Sequence, residues 1–143
     1  MSIQVRQELI SKLVFQSFSQ SLDLLNPDVT NTYLVEGLHH IVNNGWILEI
    51  TAVRSDHHDD SMLGKWCHFN GYAVDCWPLK SNHAGDYYDA GDPEFSKFLS
   101  QLPNVPGIKQ VGLAGSAALS SFLAQSLYFQ DDGADHVHIG IGD

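Results

Sequence analysis

The segment His68-Phe69-Asn70-Gly71-Tyr72-Ala73-Val74-Asp75 restricts what this chain can fold into more than any other stretch. Gly71 to Trp77 reads as a β-strand closed by Pro78. Side chains alternate along a strand, so Ala73, Asp75 and Trp77 share one face, and His68 sits at the lip of the preceding loop. Gly71 removes a side chain beside the site and lets the backbone bend where loop becomes strand. Ala73 is small and leaves room next to Asp75. A second cluster, Asp135-His136-Val137-His138, opens a final strand from His136 to Ile141, with both histidines on one face. A catalytic zinc site takes three ligands from His, Asp or Glu and keeps a fourth position open. His68, Asp75 and His138 can form that set. His136 then lies beside the open position, and Asp135 is within reach of it as a general base.

The spacing is selective within this chain. The residues seven positions after His39, His40, His57, His58 and His83 are Trp46, Ile47, Gly64, Lys65 and Ala90, so among them only His68 is followed there by an aspartate. The two cysteines, Cys67 and Cys76, do not form a CxxC pair, which argues against a thiolate metal or redox site; free thiols are expected.

The remaining pattern supplies helices and further strands. Ser2 to Leu25 carries apolar residues near a 3.6 spacing and reads as one helix. Asn26-Pro27-Asp28 ends it, and Thr30 or Asp28 caps a second helix that stops at Asn43-Asn44-Gly45. Trp46 to Val53 is a β-rich run with a core face at Trp46, Leu48 and Ile50. Asp92 and Pro93 mark the start of a helix running to about Leu102. Gly107 to Leu113 reads as a strand and Ser116 to Gln125 as a short helix. The pattern predicts one α+β domain over 1–143, with a small antiparallel sheet and helices mainly on one face. Residues 1–29 form an N-terminal helical segment and residues 30–143 the catalytic core.

Charge narrows the partners. Seventeen acids against seven bases give a net charge of -10, which opposes nucleic-acid binding, because a phosphate backbone requires clustered Lys and Arg. No apolar run is long enough to span a membrane. No signal peptide is visible, which fits a cytoplasmic protein or a phage-encoded one released at lysis or carried on the virion.

The paired motifs HxxGxAxD (His68, Gly71, Ala73, Asp75) and DHxH (Asp135, His136, His138) resemble those of the LAS-type zinc peptidases. That group comprises D-Ala-D-Ala carboxypeptidases, dipeptidases and phage L-Ala-D-Glu endolysins. The resemblance covers roughly residues 30 to 143 and takes in Arg54-Ser55, where such enzymes carry an arginine near the substrate. It implies a LAS-like fold, a Zn²⁺ cofactor and a peptide or muropeptide substrate containing D-residues. The chain departs from the family at Trp66, where serine is usual, and in the long loop Ser55 to Lys65; both differences touch the rim of the site.

Chemistry assigns the surrounding residues. The Arg54 guanidinium can bind a substrate carboxylate or polarise the scissile carbonyl. His57, His58, Asp59 and Asp60 read as a solvated polar loop, and His83, Tyr87 and Tyr88 as a surface loop. Two rival functions keep the same fold. One is a non-catalytic metal-binding module of a larger assembly such as a phage particle, and the other is a zinc hydrolase acting on a different amide.

Overall fold

The computed structural model describes residues 2–113, 128–130 and 136–143. The expected helix Ser116 to Gln125 and the candidate base Asp135 lie outside the described residues. No helix among the described residues is long and apolar enough to cross a membrane.

The first 25 residues do not form the single helix that their periodicity predicts. Helix α1 spans Ile3–Ser11 and helix α2 spans Phe18–Leu25, with a two-residue strand β1 (Val14–Phe15) between them. The break has a local cause. Ser17 and Gln20 form a reciprocal capping box, which satisfies the donors of a new helix start. Val14 and Phe15 prefer extended backbone and pair with Glu49 and Ile50. Helix α3 (Thr32–Asn43) is capped by Asn31 rather than by Thr30 or Asp28. Thr30 is engaged elsewhere: its hydroxyl accepts from the buried Arg6 guanidinium and donates to the Asp23 carbonyl. Arg6 also donates to the carbonyls of Leu24 and Thr30, so one fully buried cation ties α1 to the turn between α2 and α3. Helix α4 (Pro93–Gln101) starts as expected, with the Asp92 carboxylate accepting from Glu94 N–H.

The remaining strands are β2 (Ile47–Ala52), β3 (Ala73–Leu79), β4 (Ile108–Gly112), β5 (Tyr128–Gln130) and β6 (Val137–Ile141), in the order β1-β2-β3-β6-β4-β5. The protein is α+β as expected, but the sheet is mixed rather than antiparallel. Its centre, β2-β3-β6-β4, is antiparallel, while β1 lies parallel to β2 and β4 parallel to β5 at the two edges. Parallel neighbours need a crossover of a dozen or more residues. Helices α2 and α3 provide one between β1 and β2.

Strand β3 also runs through Pro78 instead of stopping there. The Pro78 carbonyl accepts from Tyr88 N–H, so this residue's backbone polar groups face the 80–91 loop and not β2. The donor that proline lacks is therefore on a side where no ladder bond is needed.

Alternation gives the sheet two unlike faces. Leu48, Ile50, Val74, Cys76, Val111, Val137, Ile139 and Ile141 are fully buried and belong to one cluster that includes Leu9, Leu24, Leu34 and Leu38 from the helices. Residues 1–29 thus share a core with the rest of the chain. On the other face the register sets Asp75 opposite both Ala52 and His138, and His138 opposite Gly112. Cys67 and Cys76 are both buried and free.

Gly71 has a different task from the one its position suggested. It adopts φ +77°, and a Cβ there would lie 2.2 Å from the Val29 carbonyl oxygen, while its own carbonyl accepts from Asn31 N–H. Its missing side chain makes room for the α2–α3 connection, not for the site. Gly71→Ala is expected to destabilise the fold by about 2 kcal/mol or more through positive φ and this backbone clash. Urea unfolding midpoints of the two proteins measure the difference.

Candidate metal centre

His68, Asp75 and His138 reach one point from a loop and two adjacent strands. His68 Nε2 is 3.1 Å from Asp75 Oδ1 and 3.2 Å from His138 Nδ1, and His138 Nδ1 is 3.4 Å from Asp75 Oδ1. All three residues are buried, with 1–5% of their surface exposed. Ligands about 2.05 Å from a tetrahedral centre are about 3.3 Å apart, so the triangle has the size of one face of a zinc coordination tetrahedron.

The outer hydrogen bonds fix which ring nitrogens face inward. His68 Nδ1–H donates to the Val53 carbonyl, 2.5 Å away. His138 Nε2–H donates to Gln110 Oε1, 3.0 Å away. Both partners only accept, so in the neutral rings His68 Nε2 and His138 Nδ1 each present a lone pair to the carboxylate of Asp75. Three acceptors converging in a buried space repel one another unless a cation lies between them. A shared proton or a metal ion supplies it, and these residues can hold a metal.

Electrostatics in the metal-free state follow from the same contacts. Burial opposes protonation of His68, but hydrogen bonding and charge attraction from Asp75, aided by the Val53 carbonyl, outweigh it and raise its pKa. Burial likewise opposes ionisation of Asp75. Hydrogen bonds from His138 and His68 overcome it and hold the carboxylate well below its usual range.

The turn that presents Val53 is itself anchored. Asp23 of α2 accepts from the N–H groups of Arg54 and Ser55 and from the Ser55 hydroxyl. Asp56 accepts from Val53 N–H and from Gln20 Nε2. Asp60 is buried and accepts from the N–H groups of His68 and Phe69, which sets the loop carrying His68.

The loop Ser55 to Lys65 therefore is not simply solvated. Besides Asp60, His57 turns inward. Its ring stacks on that of His68, with centroids 3.7 Å apart and planes within 7°. Its Nε2 lies 3.6 Å from Asp75 Oδ2. His58 and Asp59 are exposed, as expected. His57, Asp60 and His68 form a second group of potential ligands. Both Asp60 oxygens already hold backbone N–H groups, however, so its carboxylate acts as a loop clamp.

His136 is brought to the site, with Nε2 3.8 Å from Asp75 Oδ2 on the cleft side. Arg54 is not. Its Nε–H donates to the Phe69 carbonyl, its guanidinium lies over the Phe69 ring at 4.5 Å, and it lines a separate hollow with Asp28, Val29 and Asn70. Trp66 packs on the chain end at Gly142, where a Cβ would lie 2.1 Å from its ring, rather than at the cleft rim. The cleft of about 600 Å³ beside Asp75 and His136 is walled by Thr51, Trp77, Tyr87 and Tyr88. The two tyrosines thus face the site, while His83 stays exposed.

Glu49 carries no mark in the sequence beyond being an acid inside an apolar strand. It is 1% exposed, on the same face as Asp75, and accepts from Gln16 Nε2, Gly85 N–H and the Tyr87 hydroxyl.

No family model, curated protein or solved structure matches this chain.

Two outcomes are expected. Gln110→Ala leaves the fold intact and weakens metal binding by about 10- to 100-fold, because His138 loses the partner that fixes its tautomer; competition with a chromophoric chelator measures it. The raised pKa of His68 keeps its proton in competition with a metal to higher pH. Affinity for an added divalent metal should therefore fall at least about tenfold between pH 7.5 and pH 5.5.

Proposed function

We propose that this protein is a zinc-dependent hydrolase of a peptide bond, with His68, Asp75 and His138 as the metal ligands. The observation that carries the reading is the triangle of inward-facing acceptors, 3.1–3.4 Å on a side, beside an open cleft. Two histidines and one carboxylate suit zinc better than calcium or magnesium, which prefer all-oxygen cages. Zinc held by three protein groups would supply a Lewis acid and lower the pKa of water at its fourth position.

The chain's own groups have distinct parts. The Val53 carbonyl and Gln110 hold the two ligand rings in the tautomers that leave their inner nitrogens unprotonated. His136 lies on the cleft side of Asp75, within reach of a carbonyl oxygen placed there as negative charge develops on it. Asp135, adjacent in sequence to His136, is the proposed proton acceptor, which later delivers the proton to the leaving amine. Arg54 sits in the separate hollow behind Phe69, so its proposed part is limited to contacts outside the cleft. The resemblance of HxxGxAxD and DHxH to the LAS-type peptidases supports a peptide containing D-residues, of the peptidoglycan kind, as substrate.

The test combines metal and activity. Purified protein is expected to bind one zinc, to lose it in His68→Ala, and to release new amines from peptidoglycan fragments, as read by mass spectrometry. Chelation should abolish that release, and Asp135→Ala should lower it at least about 100-fold with zinc retained. Unchanged cleavage by Asp135→Ala would remove Asp135 from the mechanism. Zinc bound without cleavage of any peptide would make the protein a metal-holding module.

A further inference from the structure

No Lys or Arg lines the cleft beside the metal triangle, where His136 at the metal end is the one basic group among the described residues, and the rest of the chain has no Lys or Arg to lend. The seven Lys and Arg side chains are all placed elsewhere. Lys12, Lys65 and Lys97 pair with Glu8, Asp143 and Glu94. Arg6 is buried against Thr30, Arg54 and Lys109 lie over Phe69 and Trp66, and Lys80 lines a different hollow with Glu94. Segments 114–127 and 131–135, outside the described residues, contain no Lys or Arg in their sequence. Away from His136, a substrate carboxylate entering this cleft would meet no Lys or Arg side chain.

The far wall of the cleft has the opposite character. Asp89 lines it and is exposed, and Tyr87, Tyr88 and Trp77 line it too. Behind Tyr87 lies the Glu49 carboxylate, fully buried, held only by neutral donors and making no ion pair among the described residues. Glu49 pairs with Trp77, two residues along β3 from Asp75. One step of about 6.6 Å along the strand and one of about 4.8 Å across put it about 8 Å from the triangle. The cleft is thus bipolar: a carbonyl fits at the metal end, and aromatic faces backed by two carboxylates suit a cation at the other.

We propose that the cleft selects substrates carrying a free primary ammonium, seated among Tyr87, Tyr88 and Asp89 and attracted by Glu49 behind them. This rests on the zinc reading and adds the chemical class of the substrate: a peptide with an unblocked amino terminus or diamino-acid side chain. A substrate anchored by a terminal carboxylate fits the cleft poorly.

The experiment uses the zinc-loaded full chain and three hydroxamates with arms of matched length, compared by calorimetry. 5-Aminopentanohydroxamate offers an ammonium, its N-acetyl derivative a neutral end, and the monohydroxamate of adipic acid a carboxylate. The ammonium probe should bind at least about tenfold tighter than the acetylated one, with the preference shrinking in high salt. Asp89→Asn, at an exposed position, should cut that ratio to within about threefold while leaving affinity for the acetylated probe unchanged. Glu49→Gln should act in the same direction wherever it folds. Equal binding of all three, or preference for the carboxylate probe, overturns the ammonium subsite and leaves the metal site standing. If no hydroxamate binds and no zinc is retained, the metal reading fails and takes the subsite with it.

Discussion

Three hydrogen-bond acceptors are forced to share one buried point, and much of the surrounding structure exists to keep them there. Placed together without a cation, two imidazole lone pairs and a carboxylate oxygen would drive one another apart. The Val53 carbonyl and Gln110 remove the easy escape, which is rotation or a change of tautomer, because each accepts the outward N–H of one ring. Asp75 favours a proton on His68, and the same three groups could hold a metal ion in its place.

Each support traces to ordinary strand and loop physics. Asp75 and His138 meet because they are register partners on adjacent antiparallel strands, so their side chains emerge side by side on one face. The register shift between Ile50 and Ala52 brings Ala52, a small residue, opposite Asp75. Gly112 on the far side of His138 adds no side chain to that row. His68 arrives from a loop, and loops hold position only where their backbone groups are tied. Asp23, Asp56 and Asp60 do this with seven hydrogen bonds distributed over the turn after β2 and the approach to His68.

Several elements were readable along the chain because their signals are local. Asp92-Pro93 started a helix where expected, Asn43 to Gly45 ended one, and the runs at Trp46 to Val53 and His136 to Ile141 became strands. Where the reading failed, a distant partner decided. Val14 and Phe15 fit a helical period, yet β2 offers them a ladder and Ser17 restarts the helix. Pro78 looked like a strand end until the Tyr88 N–H showed which way its backbone faces. His57 sat in a polar loop whose composition signals solvent, and only the stacking on His68 turns it inward. Arg54 had the chemistry of a substrate clamp but leaves β2 on the side of Phe69.

The sequence by itself determined the three candidate ligands. Residue type, a seven-residue interval and strand alternation are properties of the chain alone, and they require no knowledge of what packs against what. Only the tertiary structure decided the distances among those ligands, the tautomers of their rings and the character of the cleft. Those depend on contacts between residues far apart in the chain, such as Val53 with His68, Gln110 with His138, and Glu49 with Tyr87. A hydrogen bond across 15, 28 or 38 positions leaves no periodic trace in the sequence that forms it.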